Sequence, residues 1–199
     1  MSRRNSGSLY TALAAFLLIC SGASAARAET VAAEWQAHQL KFRYSGFTTS
    51  YTCSGIRSAV RRLMLAVGAH KDLKIQVSCA GPMNDIQPFH RMLIAFSAPV
   101  AAPEGGVPGE TFAAEWRQVK LNRGHPSRLD WGECELVEQF RDQVLIPVFN
   151  PRDLVDHTRC TPKKINLGTP SLSMTLLMPV AEATAQATDE AQEPAPEPE

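Results

Sequence analysis

The stretch Glu29-Thr30-Val31-Ala32-Ala33-Glu34-Trp35 returns as Glu110-Thr111-Phe112-Ala113-Ala114-Glu115-Trp116, at an offset of 81 residues. The same offset carries Leu40 onto Leu121, Cys53 onto Cys134, Val67 onto Val148, Asp72 onto Asp153, Leu73 onto Leu154 and Cys79 onto Cys160. Without any gap, residues 29–79 and 110–160 agree at twelve of 51 positions, where average residue usage gives about three. The Trp-to-Cys distance is 18 in both halves and the Cys-to-Cys distance is 26 in both. Cysteine is scarce, so two such coincidences at one offset argue for an internal duplication.

Each half reads as strand, helix, strand, strand. Leu40, Phe42 and Tyr44 alternate with Lys41 and Arg43, the pattern of a half-buried strand, and Val119 and Leu121 keep that register in the second half. A helix follows, with apolar positions Ile56, Ala59, Val60, Leu63 and Val67 in the first half and Val137, Phe140, Val144, Leu145 and Val148 in the second. Asp130 with Glu133 has the spacing of a capping box, and Thr49 occupies the equivalent first-half position. Pro147 is expected to end the second helix near Ile146, because proline lacks the amide hydrogen and crowds the preceding turn. Leu73, Ile75, Val77 and Cys79 then alternate with polar residues, and apolar runs at 89–98 and 172–178 close the halves. The expected fold is therefore α+β: a duplicated β-α-β-β unit, about six strands with two helices on one face. Its first unit spans 29–98, its second 110–180, with a Pro/Gly-rich linker at 99–109. Whether both units share one sheet is left open by the sequence.

Four cysteines allow three pairings. A helix of 18 residues covers about 27 Å, and a seven-residue strand running back recovers about 23 Å. Cys53 in the first helical turn and Cys79 at the strand end are thereby brought together, as are Cys134 and Cys160. One disulfide per half is the expectation, each closing a loop that contributes about 3–4 kcal/mol in the chain-entropy model. A redox pair would place its thiols at C-x-x-C spacing, and zinc ligands also come in close pairs. Neither pattern occurs, and no metal or cofactor site is expected.

The ends read differently from the middle. The 199 residues hold 20 basic and 20 acidic side chains. Residues 1–28 carry three arginines and no acid, and 181–199 carry six acids and no base, which leaves 29–180 with 17 basic and 14 acidic residues. Arg3 and Arg4, an apolar run from Leu9 to Cys20 and the small residues ending in Ala26-Arg27-Ala28 have the form of a signal peptide cleaved before Glu29. The apolar run is too short for a stable anchor, so the mature chain is expected to be periplasmic or secreted, without a transmembrane segment. Disulfides persist in such compartments. The tail at 181–199 is rich in Ala, Pro and Glu and lacks aromatic and large aliphatic residues, a composition that favours disorder.

Catalytic signatures are thin. The five histidines form no H-E-x-x-H, and no G-x-S-x-G, P-loop or G-x-G-x-x-G is present. Asp156 and His157 are strand neighbours pointing to opposite faces, unsuited to a dyad. His90 with Met83, Met92, Met174 and Met178 has the donor types of a soft copper site, yet three of these methionines fall in core strands, where methionine fills gaps. One charge pattern does stand out. Arg57 and Arg61 on the first helix correspond to Glu138 and Asp142 on the second, opposite signs at equivalent positions, which suggests pairing between the units or with a partner. The basic stripe is short and lacks aromatics, so nucleic acid is not expected as a partner.

Tyr51, Cys53 and Gly55 at the first helix start, with Leu73 to Cys79 in the following strand, resemble uncharacterised exported proteins of Gram-negative bacteria. That resemblance implies export and no particular activity. The leading expectation is a non-catalytic exported module that binds an envelope protein or a small ligand. An envelope enzyme with a site between the units is the alternative, near the loops 80–88 and 161–170 with Lys163 and Lys164. A redox or metal protein stands third.

Overall fold

A computed structural model describes residues 30–79, 85–103, 111–124, 127–130, 132–161, 163–164 and 170–180. The expected signal peptide, the acidic tail and most of the expected linker lie outside the described residues. Within them the chain forms β1 (Thr30–Ser45), α1 (Cys53–Ala66), β2 (Lys74–Ser78), β3 (Phe89–Ala101), β4 (Phe112–Leu121), α2 (Cys134–Phe140), a π-helical continuation (Arg141–Phe149), β5 (Arg152–Asp156) and β6 (Leu172–Pro179).

All six strands join one antiparallel sheet in the order β2-β3-β1-β4-β6-β5. Read from either edge inward, the strands of each half come in the same order. Within the sheet the halves pair only where β1 and β4 overlap, from Thr30 opposite Glu115 to Ala33 opposite Phe112. The repeated stretch thus pairs with its own counterpart, and Ala32 faces Ala113, the residue 81 positions on. Beyond this overlap β1 and β4 run in opposite directions, so the sheet is two three-stranded ribbons joined by a short seam.

Alternation decides which face of each ribbon is covered. Phe42, Tyr44, Met92, Ile94, Phe96, Val119, Leu121, Leu172 and Met174 are buried against Ile56, Val60 and Leu63 of α1 and Val137, Phe140, Val144 and Leu145 of the second helix. These residues form one continuous core, with both helices on the same face. At the seam a second cluster sits apart from it: Ala33, Ala114 and Leu177 with Val31, Phe112 and Trp116 around them. Trp35 stacks on Phe112 there, ring centroids 4.6 Å apart, and the Arg152 guanidinium lies 3.5 Å over the Trp116 ring. The small alanines of the repeated motif suit a seam where two backbones and two indoles crowd together.

Four local expectations are corrected. Thr52, not Thr49, caps α1: its Oγ1 accepts the Gly55 N–H at 3.0 Å. Only half of the capping box forms, because the Glu133 carboxylate accepts the Asp130 N–H at 2.8 Å while the first turn of α2 has no side-chain cap. Pro147 does not stop the second helix, which widens into a π-helix to Phe149 and ends at Asn150 in the left-handed region. A wider turn relieves the crowding of the proline ring against the preceding turn. Finally, β3 continues through Pro99 to Ala101, into the segment expected to be linker. Ala102 donates to the Ala32 carbonyl and His70 donates to that of Ser97, so Pro99 presents its nitrogen to the outer edge, beyond the end of β2, where no donor is needed.

Gly68 closes α1 with φ +92°, and a Cβ there would lie 2.7 Å from Met178 Sδ. Gly68→Ala is expected to lower stability by about 1–3 kcal/mol through backbone strain and this overlap. Urea unfolding of the variant measures it, and an unchanged midpoint would show that the α1 terminus shifts freely.

Candidate functional site

The expected cysteine pairs are both present. Cys53–Cys79 spans 6.3 Å between Cα atoms and Cys134–Cys160 spans 5.6 Å. Each ties a helix start to the end of the following strand segment, as the helix and strand lengths require.

The four charged helix residues go elsewhere than into mutual pairs. Among the described residues no ion pair joins Arg57 or Arg61 to Glu138 or Asp142. Arg57 is exposed on α1. Arg61 donates to the carbonyls of Lys71 and Leu73, at 2.9 and 3.1 Å, holding the turn into β2. Asp142 pairs with Arg141, which also reaches Asp156. Burial pushes the Glu138 carboxyl above its ordinary pKa, against the pull of Arg141. An ion pair that does bridge the halves joins Arg62 to the buried Glu133, at 2.5 Å.

Around this bridge the second helix reads the end of β1 like a neighbouring strand. Gln143 accepts the Arg43 N–H at 2.9 Å and donates to the Arg43 carbonyl at 2.8 Å. Gln139, one turn earlier, does the same for Ser45 at 2.8 and 2.9 Å. Glu135, another turn back, accepts the N–H groups of Phe47 and Thr48 at 2.9 and 3.0 Å and the Thr48 hydroxyl at 3.1 Å. Residues four apart share a helix face, so three side chains occupy successive rungs along an edge that β4 leaves unpaired. Each bond is worth about 0.5–1.5 kcal/mol net, but an unmade one at a buried group costs more. Behind them Tyr44 donates to the Thr49 carbonyl at 2.6 Å, and His90 Nε2 lies 3.0 and 3.1 Å from the Tyr51 and Gln87 carbonyls. Burial, then the nearby Glu135 or Glu133 carboxylates, drive the Tyr44 and Tyr51 phenols well above the ordinary range. These groups hold the β1–α1 loop in place.

The helix-free face of the first ribbon has different chemistry. Residues of β1, β2 and β3 that alternate with the core point there: Lys41, Arg43, Lys74, Gln76, Ser78, Arg91 and Leu93 among them. Lys41, Arg43, Lys74 and Arg91 are exposed, and no acidic residue shares the face between Gln39 and Ser45, Lys74 and Ser78, or Phe89 and Ser97. Arg43 lies directly opposite Arg91 across the β1–β3 pair, a like-charge placement that destabilises a sheet when uncompensated. Among the described residues no ion pair neutralises any of the four. A concavity of about 330 Å³ opens here, lined by Lys41, Phe42, Arg43, Ser78, Arg91, Met92 and Leu93. A second, of about 360 Å³, lies on the outer side of α1 between Ser58, Arg61, Arg62, Leu65 and Ala66. Neither lining holds a histidine or a carboxylate, the groups general acid–base chemistry would use.

Lys41 and Arg43 are legible in the sequence as outward strand residues, but their convergence with Lys74 and Arg91 depends on register. Met92 and Met174 are buried in the core, His90 is committed to the two carbonyls, and Met83 lies outside the described residues. Among the described residues no group of three or more His, Cys, Asp or Glu side chains is placed to hold a metal ion. No helix among them is long and apolar enough to cross a membrane. No protein-family model matches the chain, and no curated protein or solved structure is significantly similar to it.

Proposed function

We propose that this chain is a non-catalytic exported binding module, and that the basic helix-free face of β1–β3 is its binding surface, for an anionic partner. The observation that carries this reading is the set of four exposed cations without an acid, with Arg43 set against Arg91. Like charges placed side by side on a rigid sheet are offset when an anion sits between them, since charge-assisted hydrogen bonds to oxyanions are about twice as strong as neutral ones.

The module is built, in this reading, from two copies of one β-α-β-β unit. The offset of 81, the mirrored strand order and the pairing of Ala32 with Ala113 support the duplication. A signal peptide cleaved before Glu29, a periplasmic or secreted location and kinship with exported Gram-negative proteins complete the proposal. Two disulfides accord with an oxidising compartment.

Titration with inorganic phosphate, followed by backbone amide NMR shifts, tests the binding face. Shifts are expected at residues 41–43, 78 and 91–93, and added sodium chloride should weaken them. Arg43→Glu with Arg91→Glu should reduce affinity at least about tenfold. Shifts confined to other surfaces, or binding indifferent to the double reversal, would remove the assignment.

A further inference from the structure

Among the described residues, the three most exposed large apolar side chains are Ile86 at 70%, Phe89 at 61% and Phe47 at 60%. All three lie at one end of the first ribbon. Phe89 pairs with Ser45 in the β1–β3 register. Gly46, beside Phe47, donates to the Pro88 carbonyl at 2.7 Å, and Gln87, beside Ile86, exchanges backbone hydrogen bonds with Tyr51. Counted from the Ser45–Phe89 pair at this end, Arg43 and Arg91 stand two pairs back and Lys41 two further.

The loop carrying Phe47 is fixed by its polar groups. Glu135 takes both the Phe47 and Thr48 N–H groups, Thr49 Oγ1 donates to the Gly132 carbonyl at 2.7 Å, and Tyr44 holds the Thr49 carbonyl. A Cβ at Gly46 would overlap the Thr49 carbonyl and the Tyr44 hydroxyl, so the close turn requires glycine. The fold therefore fastens this loop firmly while leaving its phenylalanine in water. Isolated exposed apolar residues are ordinary on protein surfaces, but a group of them bordered by charge marks an interaction site.

Given the reading of this face as anion-binding, on which the inference rests, we infer that the partner is an anionic phospholipid surface. The order of chemistry along the ribbon matches the depth profile of a leaflet. Phe47, Ile86 and Phe89 lead. Phe89 and Arg91 share the helix-free face at a spacing of about 7 Å, two strand residues, and Lys41 follows after a similar step. The polar region of each leaflet is about 5–7 Å deep, so apolar side chains entering it would bring the arginines level with the phosphates. Basic residues near an anionic surface and apolar side chains at its interface add to one another in peripheral binding.

Vesicle flotation of the disulfide-bonded full chain tests this, with phosphatidylcholine vesicles compared against equal parts phosphatidylcholine and phosphatidylglycerol. Flotation is expected with the mixed vesicles only. Arg43→Glu with Arg91→Glu, and separately Phe47→Ser with Phe89→Ser, should each weaken it at least about tenfold. All four side chains are exposed, so both variants should keep the parent unfolding midpoint. Both also leave residues 1–29 unchanged. Binding carried by the apolar run from Leu9 to Cys20 would then survive in both variants, and that outcome overturns the inference. Phosphate-induced shifts on the basic face without flotation would overturn the lipid assignment while leaving the anion-binding reading intact. Loss of both removes the two together.

Discussion

Reduction of both disulfides is expected to unfold the protein at physiological temperature. Each closes a loop between cysteines 26 residues apart, and in the chain-entropy model a loop of that length is worth about 3.5 kcal/mol at 25 °C. Two of them approach the whole stability of a typical domain, about 5–15 kcal/mol. The core also depends on both ribbons at once. Phe42 and Tyr44 of the first half and Leu121 and Leu172 of the second belong to one buried cluster, so loosening either helix start exposes apolar surface in the other half. Urea unfolding of the oxidised chain, of Cys53→Ser with Cys79→Ser, and of Cys134→Ser with Cys160→Ser separates the contributions. Each pair of substitutions should lower stability by about 3–4 kcal/mol. If both reduced halves stay folded with an unchanged midpoint, the disulfides are not structural and the thiols need another role.

Glu135→Ala should cost nearly as much through one side chain. Glu135 is 5% exposed and accepts three hydrogen bonds from Phe47 and Thr48. Removing it leaves partly buried donors without an acceptor, which costs about 1–3 kcal/mol for each group that cannot reach water. Solvent reaches the loop from the Phe47 side, so a total of about 2–4 kcal/mol is expected. Glu135→Gln retains one acceptor oxygen and should fall between parent and alanine variant. Amide exchange provides the specific readout: the Phe47 and Thr48 protons should lose protection in Glu135→Ala before the β1–β3 ladder does. A uniform loss across the sheet would mean that Glu135 serves the core rather than the loop. The same variant should weaken vesicle binding, because Phe47 would no longer be held at the ribbon end.

Much of the architecture is legible in the order of residues. Side-chain alternation in a strand and 3.6-residue spacing in a helix are local properties, so Phe42 and Tyr44, or Ile56, Val60 and Leu63, declare their burial without knowledge of their partners. Cysteine pairing was legible for a related reason. Helix rise and strand rise are constants of the backbone, and two equal spacings leave one arrangement that suits both halves. Helix ends were less so. Thr49 and Thr52 offer the same hydroxyl to a nearby helix start, and three-dimensional packing gave Thr52 to the Gly55 N–H and Thr49 to Gly132. Pro147 misled because the rule it obeys assumes an α-helical turn, and the helix here is wider.

The candidate binding face was barely legible. Lys41 and Arg43 appear in sequence as the polar side of one strand, Lys74 belongs to another and Arg91 to a third. They become one acid-free surface through the β1–β3 and β2–β3 registers. The opposite-sign helix positions, by contrast, looked like a pairing code, yet Arg61 is taken by carbonyls that close its own turn and Asp142 by its neighbour Arg141. Long side chains bind what lies within reach.

The sequence by itself determined the order of strands and helices, much of the core, and which cysteines meet, because these follow from short-range periodicity and backbone dimensions. Tertiary structure alone decided the four-residue seam, the use of Gln139, Gln143 and Glu135 as substitutes for a strand, and the gathering of four cations on one face. Those depend on how far two strands slide past each other. Slide is set by the burial of all the surrounding side chains together, and no local stretch of sequence contains it.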